Sequence, residues 1–111
     1  MSRFSRITNA QKQTETIIPP NEAAAHVDEY ATVEGVVAKV FTSKSGNTFL
    51  NIGANYPNQT FTGWIPPGPA VSKSPLLSGI EGKRVGITGR IEMYRGKSEI
   101  RINAAEQLEV E

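Results

Sequence analysis

The chain has 111 residues, of which 38% are hydrophobic and 21% charged, and its formal net charge is +1. This length suits one small domain, and no apolar run reaches the roughly 18 residues that a membrane helix needs. The absence of cysteine excludes disulfides, thiol catalysis and thiolate metal sites. Residues 30–105 contain nine lysines and arginines against four glutamates, which favours an anionic partner, with an ordinary mixed-charge surface as the alternative.

The N-terminal segment, residues 1–20, lacks periodicity and ends in Pro-Pro, which predicts a flexible tail before a domain spanning 21–111. It contains no apolar signal-peptide core, so we expect a cytoplasmic protein, or a secreted one if the sequence is truncated. The next residues, 21–30, predict a short helical turn with Asn21 as its N-cap.

The pattern then becomes that of β-structure. Runs of branched and aromatic residues between turn signals predict five strands, at residues 30–43, 48–53, 60–66, 83–94 and 98–110. Gly35 lies inside the first strand and predicts a bulge or bend there. Ser74 as N-cap and Pro75 at the first helical position predict a short helix between the third and fourth strands. The fifth strand is expected to bend near Ala104–Ala105.

Three strands, a helical connection and two further strands are typical of a five-stranded Greek-key OB-fold barrel, an all-β fold with one short helix. The long first strand would pair with both sides of the barrel. An SH3-like barrel is the alternative, although it normally lacks the helical connection.

With this order of elements, the sequence resembles the small bacterial OB domains of the single-strand-binding, nucleic-acid-binding type. Some of those domains stand alone, and others are fused to secreted or thermonuclease-type nucleases. The resemblance covers about residues 22–110 and implies an OB fold with a nucleic-acid ligand. The matching residues are Gly35, Gly46, Phe49, Leu50, Asn51, Tyr56, Pro57, Asn58, Phe61, Gly82, Lys83, Gly89, Tyr94, Arg95 and Gly96. Tyr56 and Pro57 are expected to form the loop between the second and third strands.

Alternation along the strands predicts which side chains face the core. The inward positions are expected to be Thr48, Leu50, Ile52, Phe61, Gly63, Ile65, Val85, Ile87, Gly89, Ile91, Ile100 and Ile102. Phe49 and Trp64 then face outward on adjacent strands. A tryptophan in a small β-domain is commonly buried, and a one-residue bulge would turn Trp64 inward, but that register would force the branched residues of its strand outward.

The outward face of the second and third strands, with the loops joining strands one to two and four to five, is where OB domains usually hold oligonucleotides. The predicted nucleic-acid-binding residues are Lys44, Phe49, Asn51, Thr62, Trp64, Arg84, Arg90, Tyr94, Arg95, Lys97 and Arg101. The aromatic members are expected to stack on bases, and the basic members to contact phosphates. Asn51 and Thr62 are expected to hydrogen-bond base edges or sugar.

The sequence does not indicate catalysis. The single histidine, His26, has no partner at metal-ligand spacing and is expected on the surface, and no aspartate follows Asp28. A Ser-His-Asp set, a P-loop and a dinucleotide fingerprint are absent from the sequence. We therefore expect a binding module without metal or cofactor, and not an enzyme.

Two functions remain open, and a third, a cell-envelope or stress-associated OB domain that binds a small or saccharide ligand, is disfavoured by the lack of a signal sequence unless the sequence is truncated. The first is binding of single-stranded nucleic acid, with ssDNA favoured and RNA as the alternative ligand. The second is a protein-interaction or assembly module, including a homo-oligomer, that uses the same face. At the C-terminus, Leu108 and Val110 alternate with glutamates, which predicts a final strand in preference to an acidic tip that recruits partners.

Overall fold

The longest strand organises the sheet, because it pairs with a different neighbour along each half of its length. The computed structural model describes residues 16–54, 58–68, 70–73 and 75–111. The strands within these ranges are β1 (Ile17–Ile18), β2 (Tyr30–Thr42), β3 (Thr48–Ile52), β4 (Phe61–Ile65), β5 (Arg84–Tyr94), β6 (Lys97–Arg101) and β7 (Leu108–Val110). Short 3-10 helices lie at Pro20–His26, Ala70–Lys73, Pro75–Leu77 and Ala105–Gln107. None of the described residues belongs to a helix that is long and apolar enough to span a membrane.

Five of the strands form a ring. Residues 30–36 of β2 pair with β5, and residues 37–42 pair with β3. The sequence of pairings continues from β3 to β4, from β4 to β6 in parallel, and from β6 back to β5. This is the predicted all-β, Greek-key OB arrangement, with the first long strand shared between both sides and a helical connection between β4 and β5. The fold prediction is confirmed.

A β-bulge interrupts β2 at Ala38. Val37 pairs with Ile52 and Lys39 pairs with Asn51, so Ala38 has no partner on β3. The bulge was predicted at Gly35, which instead pairs regularly with Val85. Gly35 serves close packing, because a Cβ atom there would lie 2.7 Å from Ile52 Cγ2.

The bulge changes which side chains of β2 face the core. Val37 is fully buried, and Val40 is partly buried against the core cluster. Without a bulge, strict alternation through Ala38 would put Lys39 and Phe41 on the inner side with Val37. The Val40 N–H, beside the bulge, donates a hydrogen bond of 2.7 Å to Glu81 Oε2. In the half of β2 that pairs with β3, Lys39 and Phe41 therefore face away from the core.

The core contains the side chains that alternation assigned to it. Every predicted inward residue of β3, β4, β5 and β6, and Ile102 after β6, is buried. Gly63 is required inside the ring, because a Cβ atom there would lie 2.8 Å from Ile87 Cδ1. Burial of each large aliphatic side chain contributes about 1.5–3 kcal/mol before entropy is counted. The predicted parity of these strands is confirmed.

The sheet begins earlier in the chain than expected. Ile17 and Ile18 pair in parallel with Thr32 and Val33, and Ile18 is buried, so these residues join the sheet ahead of the boundary expected at residue 21. The prediction of Asn21 as an N-cap is wrong, since the helix is preceded by Pro19, which makes no side-chain cap. The remaining tail residues 1–15, the Tyr56–Pro57 loop and the predicted N-cap Ser74 lie outside the described residues.

The C-terminal segment turns a corner after β6. The 3-10 helix Ala105–Gln107 produces the bend predicted near Ala104–Ala105, and β7 then pairs with β5. The Gln107 side chain holds this corner: its Nε2 donates to the carbonyls of Thr88 and Arg101, both at 2.9 Å. The acidic C-terminus is therefore a final strand, as its alternating pattern predicted.

Candidate functional site

One row of π-bearing side chains crosses four strands on the outer face of the ring. Phe41 on β2 pairs with Phe49 on β3, Phe49 pairs with Trp64 on β4, and Trp64 pairs with Arg101 on β6. Each side chain occupies the same position in the pleat, so the four lie side by side. We call these four residues the aromatic row.

Contacts within the aromatic row hold its members in place. The Phe41 and Phe49 rings are stacked, with centroids 6.4 Å apart and an interplanar angle of 19°. The Arg101 guanidinium carbon lies 5.0 Å from the Trp64 ring centroid, which is a cation–π contact. Trp64 Nε1 donates a hydrogen bond of 2.9 Å to Asn47 Oδ1. Trp64 thus faces outward as predicted, although it is half-buried and Arg101 covers part of its ring.

A polar row runs beside the aromatic row. Across the strands, Lys39 pairs with Asn51, Asn51 with Thr62, and Thr62 with Glu99, which pairs with Glu92 on β5. We call the first four of these residues, Lys39, Asn51, Thr62 and Glu99, the polar row; Glu92 lies beyond its end. Its middle members face away from the core and yet are almost entirely buried.

The segment before β4 contributes to this burial. Gln59 Nε2 donates a hydrogen bond of 3.2 Å to Thr62 Oγ1. Lys97 Nζ donates one of 3.2 Å to the Gln59 backbone carbonyl. These two bonds tie the connection between β3 and β4 to the outer face. The polar row therefore forms a floor below neighbouring side chains, and not an open surface.

A groove of about 580 Å³ lies over the polar row and over Phe41 and Phe49 of the aromatic row. Its lining residues are Lys39, Phe41, Phe49, Asn51, Gln59, Thr62, Tyr94, Arg95, Lys97 and Glu99. A smaller cavity of about 190 Å³ adjoins it and is lined by Asn47, Phe49, Trp64, Tyr94 and Glu99. Phe41 and Tyr94 are 53% and 56% exposed, so an incoming flat group can reach both rings.

The turn between β5 and β6 presents a cation at the edge of the groove. Arg95 and Gly96 both have positive φ angles, of 52° and 81°, as a two-residue type I′ hairpin turn requires. Arginine seldom adopts this conformation, whereas glycine adopts it readily. The Arg95 guanidinium carbon lies 5.2 Å from the Tyr94 ring centroid. Arg95 therefore combines a charge with a stacked ring, as Arg101 does in the aromatic row.

Glu99 places a carboxyl group in the floor. Burial raises the pKa of Glu99 above its ordinary value of 4.5, and the charge of Glu92 directly across the β5–β6 pair raises it further. Like charges at opposite positions of an antiparallel pair are unfavourable. A side chain kept in a costly environment inside a groove is a candidate functional group.

Most of the predicted site residues are brought together. The groove and its adjoining cavity contain Phe49, Asn51, Thr62, Trp64, Tyr94, Arg95 and Lys97, and Arg101 contacts Trp64. Lys44 is exposed in the turn between β2 and β3 and does not line the groove. Arg84 and Arg90 do not line it either.

The two arginines are paired with carboxylates elsewhere. Arg84 contacts Glu34 at 3.3 Å and Glu111 at 3.9 Å, and Arg90 contacts Asp28 at 3.3 Å. Alternation correctly placed both side chains on the outside of the ring. However, alternation does not specify which side of the ring an outward side chain lies on, and these two lie away from the groove. The role predicted for Arg84 and Arg90 finds no support in this geometry.

Several lining residues were not among the predicted ones. Lys39 and Phe41 reach the groove only because of the bulge at Ala38. The residue types around Ala38 do not predict a bulge. Gln59 lies in a connection that has no periodicity. Glu99 was assigned to the outer face, and its pairing with Thr62 could have marked it as a floor residue.

The structure was compared with known proteins. No family model matches the sequence, and no curated protein matches it. Among solved structures, the fold is similar to an aspartyl-tRNA synthetase from Entamoeba histolytica, with a TM-score of 0.61 and 14% identity over 93% of this chain. It is also similar to a chain described as an aspartyl-tRNA synthetase from Leishmania major Friedlin, with a TM-score of 0.60 and 10% identity over 88% of this chain.

A third neighbour is the structure of OBody AM1L10 bound to hen egg-white lysozyme, with a TM-score of 0.58 and 15% identity over 78% of this chain and 83% of that one. The present chain spans 21% and 23% of the two synthetase chains. At these identities the likeness shows the fold alone, and that fold is the OB-fold.

Among the described residues, no group of three or more histidines and carboxylates is arranged to hold a metal ion.

Proposed function

We propose that this domain binds single-stranded nucleic acid, with ssDNA favoured, and that it catalyses no reaction. The aromatic row carries the proposal. A single strand exposes the faces of its bases, and exposed aromatic rings stack on them without regard to sequence, at about 1–3 kcal/mol per base. Phe41 provides the most open ring of the row, and Tyr94 provides a second on the opposite side of the groove.

The cations around the groove match the backbone of such a ligand. Lys39, Arg95 and Lys97 line the groove, and Arg101 lies at the end of the aromatic row. Lys39 Nζ also lies 4.0 Å from Glu81 Oε2, so Arg95, Lys97 and Arg101 carry more of the argument than Lys39 does. Phosphate contacts position a nucleic acid, and base contacts then add affinity or specificity. A duplex hides the faces of its bases, so it could use the cations but not the rings.

Two further observations support a nucleic-acid ligand. The sequence resembles small bacterial OB domains of the single-strand-binding type. Two structural neighbours are aspartyl-tRNA synthetases, whose name identifies tRNA as their substrate. Neither observation distinguishes DNA from RNA, and the 2′-hydroxyl is the group by which a protein would do so.

The test is a titration of the protein with mixed-sequence ssDNA, ssRNA and duplex DNA of equal length. Trp64 is the single tryptophan, so its fluorescence reports on the aromatic row directly. We expect ssDNA to quench Trp64 and to bind more tightly than the duplex, with affinity that falls between about 50 and 200 mM salt. Absence of binding to any of these ligands at low salt would contradict the proposal.

A protein ligand for the same face is the second candidate. Exposed aromatic and arginine side chains are also the anchors that protein interfaces favour, and one neighbour of this fold is recorded in complex with lysozyme. A stable oligomer in sedimentation, combined with protection of Trp64 from an added quencher and no nucleic-acid binding, would select this function over the first.

A further inference from the structure

The floor of the groove contains an acceptor-only group with no partner of its own. Glu99 is 8% exposed and lines both the groove and the adjoining cavity. Among the described residues, none donates a hydrogen bond to its carboxyl group or forms an ion pair with it, and its oxygens are not among the fully buried unpartnered atoms. Its neighbours across the strands are Thr62 and the like-charged Glu92. An ionised carboxylate can only accept hydrogen bonds, so a ligand group that contacts it must be a donor.

A second acceptor lies in the same groove. Gln59 is 6% exposed, and among the described residues its Oε1 atom is buried without a hydrogen-bond partner. Its Nε2 atom is already used in the bond to Thr62. This atom has almost no accessible surface, so it lies beneath the surface of the groove and does not meet a ligand directly. The acceptor that the groove offers to an occupant is therefore the carboxyl group of Glu99.

The donors and acceptors of the bases differ in a way that these oxygens can detect. Cytosine carries an amino group at N4, where thymine and uracil carry a carbonyl oxygen at O4. At position 4, glutamate accepts a hydrogen bond from the cytosine amine, whereas it faces the O4 oxygen of thymine or uracil with no proton between them. Thymine and uracil could donate to it only from N3–H, which requires a shift of the base in the groove. Pairing of a charged acceptor with a second acceptor is a repulsive element, and such elements produce specificity.

We infer that Glu99 selects the base held in the groove, favouring bases that carry an amino group and rejecting thymine and uracil. The inference rests on the proposed function and adds a base preference to it. Different residues of the groove then have different roles. The rim cations Lys39, Arg95 and Lys97 bind phosphates, exposed rings stack on any base, and Glu99 reads the edge of one base.

A carboxylate in this position also opposes the binding of a polyanion. Glu99 therefore lowers the affinity for every oligonucleotide through its charge, but it changes the preference among bases only through its hydrogen bond. Glu92 provides the matched control. It carries the same charge on the neighbouring strand, directly opposite Glu99, but it is exposed and does not line the groove.

The experiment measures the affinities of oligo-dC, oligo-dT and oligo-dU of about 12 nucleotides for the wild-type chain, Glu99→Gln and Glu92→Gln. Mildly alkaline buffer keeps cytosine unprotonated, and oligo-dU controls for the thymine methyl group. We expect the wild-type chain to bind oligo-dC about tenfold or more tightly than either of the others. Glu99→Gln should reduce this ratio to within about twofold, because a glutamine amide can donate to O4 as well as accept from N4.

Glu92→Gln should raise all three affinities while leaving their ratio unchanged. A wild-type chain that binds all three oligonucleotides equally would overturn the inference and leave the proposed function standing. Equal loss of the ratio in both variants would overturn it too, because charge alone would then explain the effect. No binding to any oligonucleotide at low salt would overturn the proposed function together with the inference. The wild-type comparison needs no variant, so a folding defect in Glu99→Gln would not prevent the test.

Discussion

Arginines on two regions of the ring face outward in quite different surroundings. On β5, Arg84 and Arg90 point toward carboxylates, at 3.3 Å from Glu34 and 3.3 Å from Asp28. At the groove, the guanidinium groups of Arg95 and Arg101 lie over aromatic rings, at 5.2 Å from Tyr94 and 5.0 Å from Trp64. An ion pair balances the charge of an arginine locally, whereas a ring positions the guanidinium and leaves its charge for a ligand.

Outward orientation alone therefore does not distinguish the surroundings of these four arginines. All four arginines satisfy the alternation of their strands or lie in a turn, and sequence reasoning treated them alike. Their partners separate them: acidic side chains on one side, aromatic rings on the other. The first of four predictions tests this distinction directly, and the other three test further residues of the groove.

The double variant Arg95→Gln/Arg101→Gln should lose most of the affinity for ssDNA. Each substitution would remove one proposed phosphate contact and one stacked cation. We therefore expect the affinity for ssDNA to fall about tenfold to a hundredfold and to depend less on salt. Fluorescence titration at two salt concentrations measures both quantities. The matched double variant Arg84→Gln/Arg90→Gln should bind as the wild-type chain does. If the two double variants lose affinity equally, the distinction between the two regions is wrong.

Phe41→Ala should weaken ssDNA binding by about fivefold to a hundredfold, because it removes the most exposed ring of the aromatic row. Its structural cost should be small, since the side chain is 53% exposed. Tyr30→Ala is the control, because Tyr30 is an exposed aromatic residue, 70% accessible, on the half of β2 that pairs with β5. A melting temperature close to that of the wild-type chain would show that the Phe41 effect is on binding. Equal affinity of the two variants would rule out stacking on Phe41.

Glu99→Gln should raise the melting temperature by a few degrees at neutral pH. The pKa of Glu99 is raised in the folded state, so the folded chain holds this proton more tightly than the unfolded chain does. Ionised Glu99 therefore lowers the free energy of unfolding. This effect is absent below the ordinary pKa of 4.5 and grows as the pH rises through the higher folded-state value. The gain from Glu99→Gln should accordingly shrink as the pH is lowered toward 4.5.

Thermal melts of Glu99→Gln and the wild-type chain over a series of pH values measure this difference. The charged groups that share this face with Glu99 are Glu92 on β5, Lys97 and Arg101 on its own strand, and Arg95 in the groove lining, whereas its β4 partner Thr62 is uncharged. Glu92→Gln should give a smaller gain, because Glu92 is exposed and contributes only the second cause of the raised pKa. A gain from Glu99→Gln that does not change with pH would contradict this explanation.

The smallest effect is expected at the β5–β6 turn. Asparagine adopts positive φ more readily than arginine, so Arg95→Asn should stabilise the fold by up to about 1 kcal/mol. The same change should weaken ssDNA binding severalfold through the lost cation. Denaturant unfolding and fluorescence titration measure the two effects separately. An Arg95→Asn variant that binds ssDNA unchanged would remove this turn from the site.

Much of the fold could be predicted because alternation in β3, β4, β5 and β6 is regular. Phe61 and Ile65 leave only one register that buries both, and that register turns Trp64 outward. The rest depends on features that strand patterns do not contain. The ion pair between Arg90 and Asp28 joins residues far apart in the chain, and the position of Gln59 follows from a connection without periodicity. The local pattern of a strand predicts which face a side chain lies on, but not which residues from other parts of the chain contact it there.

The bulge at Ala38 gives one inserted residue control over the chemistry of the groove. It puts the two halves of β2 out of phase, so that the half paired with β5 and the half paired with β3 can vary independently. If Ala38 were instead paired regularly with β3, alternation would offer Val40 to the ligand and turn Lys39 and Phe41 toward the core, with every residue of the strand unchanged. The position of the bulge thus carries binding information, and a comparison of related sequences that ignores a single gap here would align a ligand-facing position with a core position.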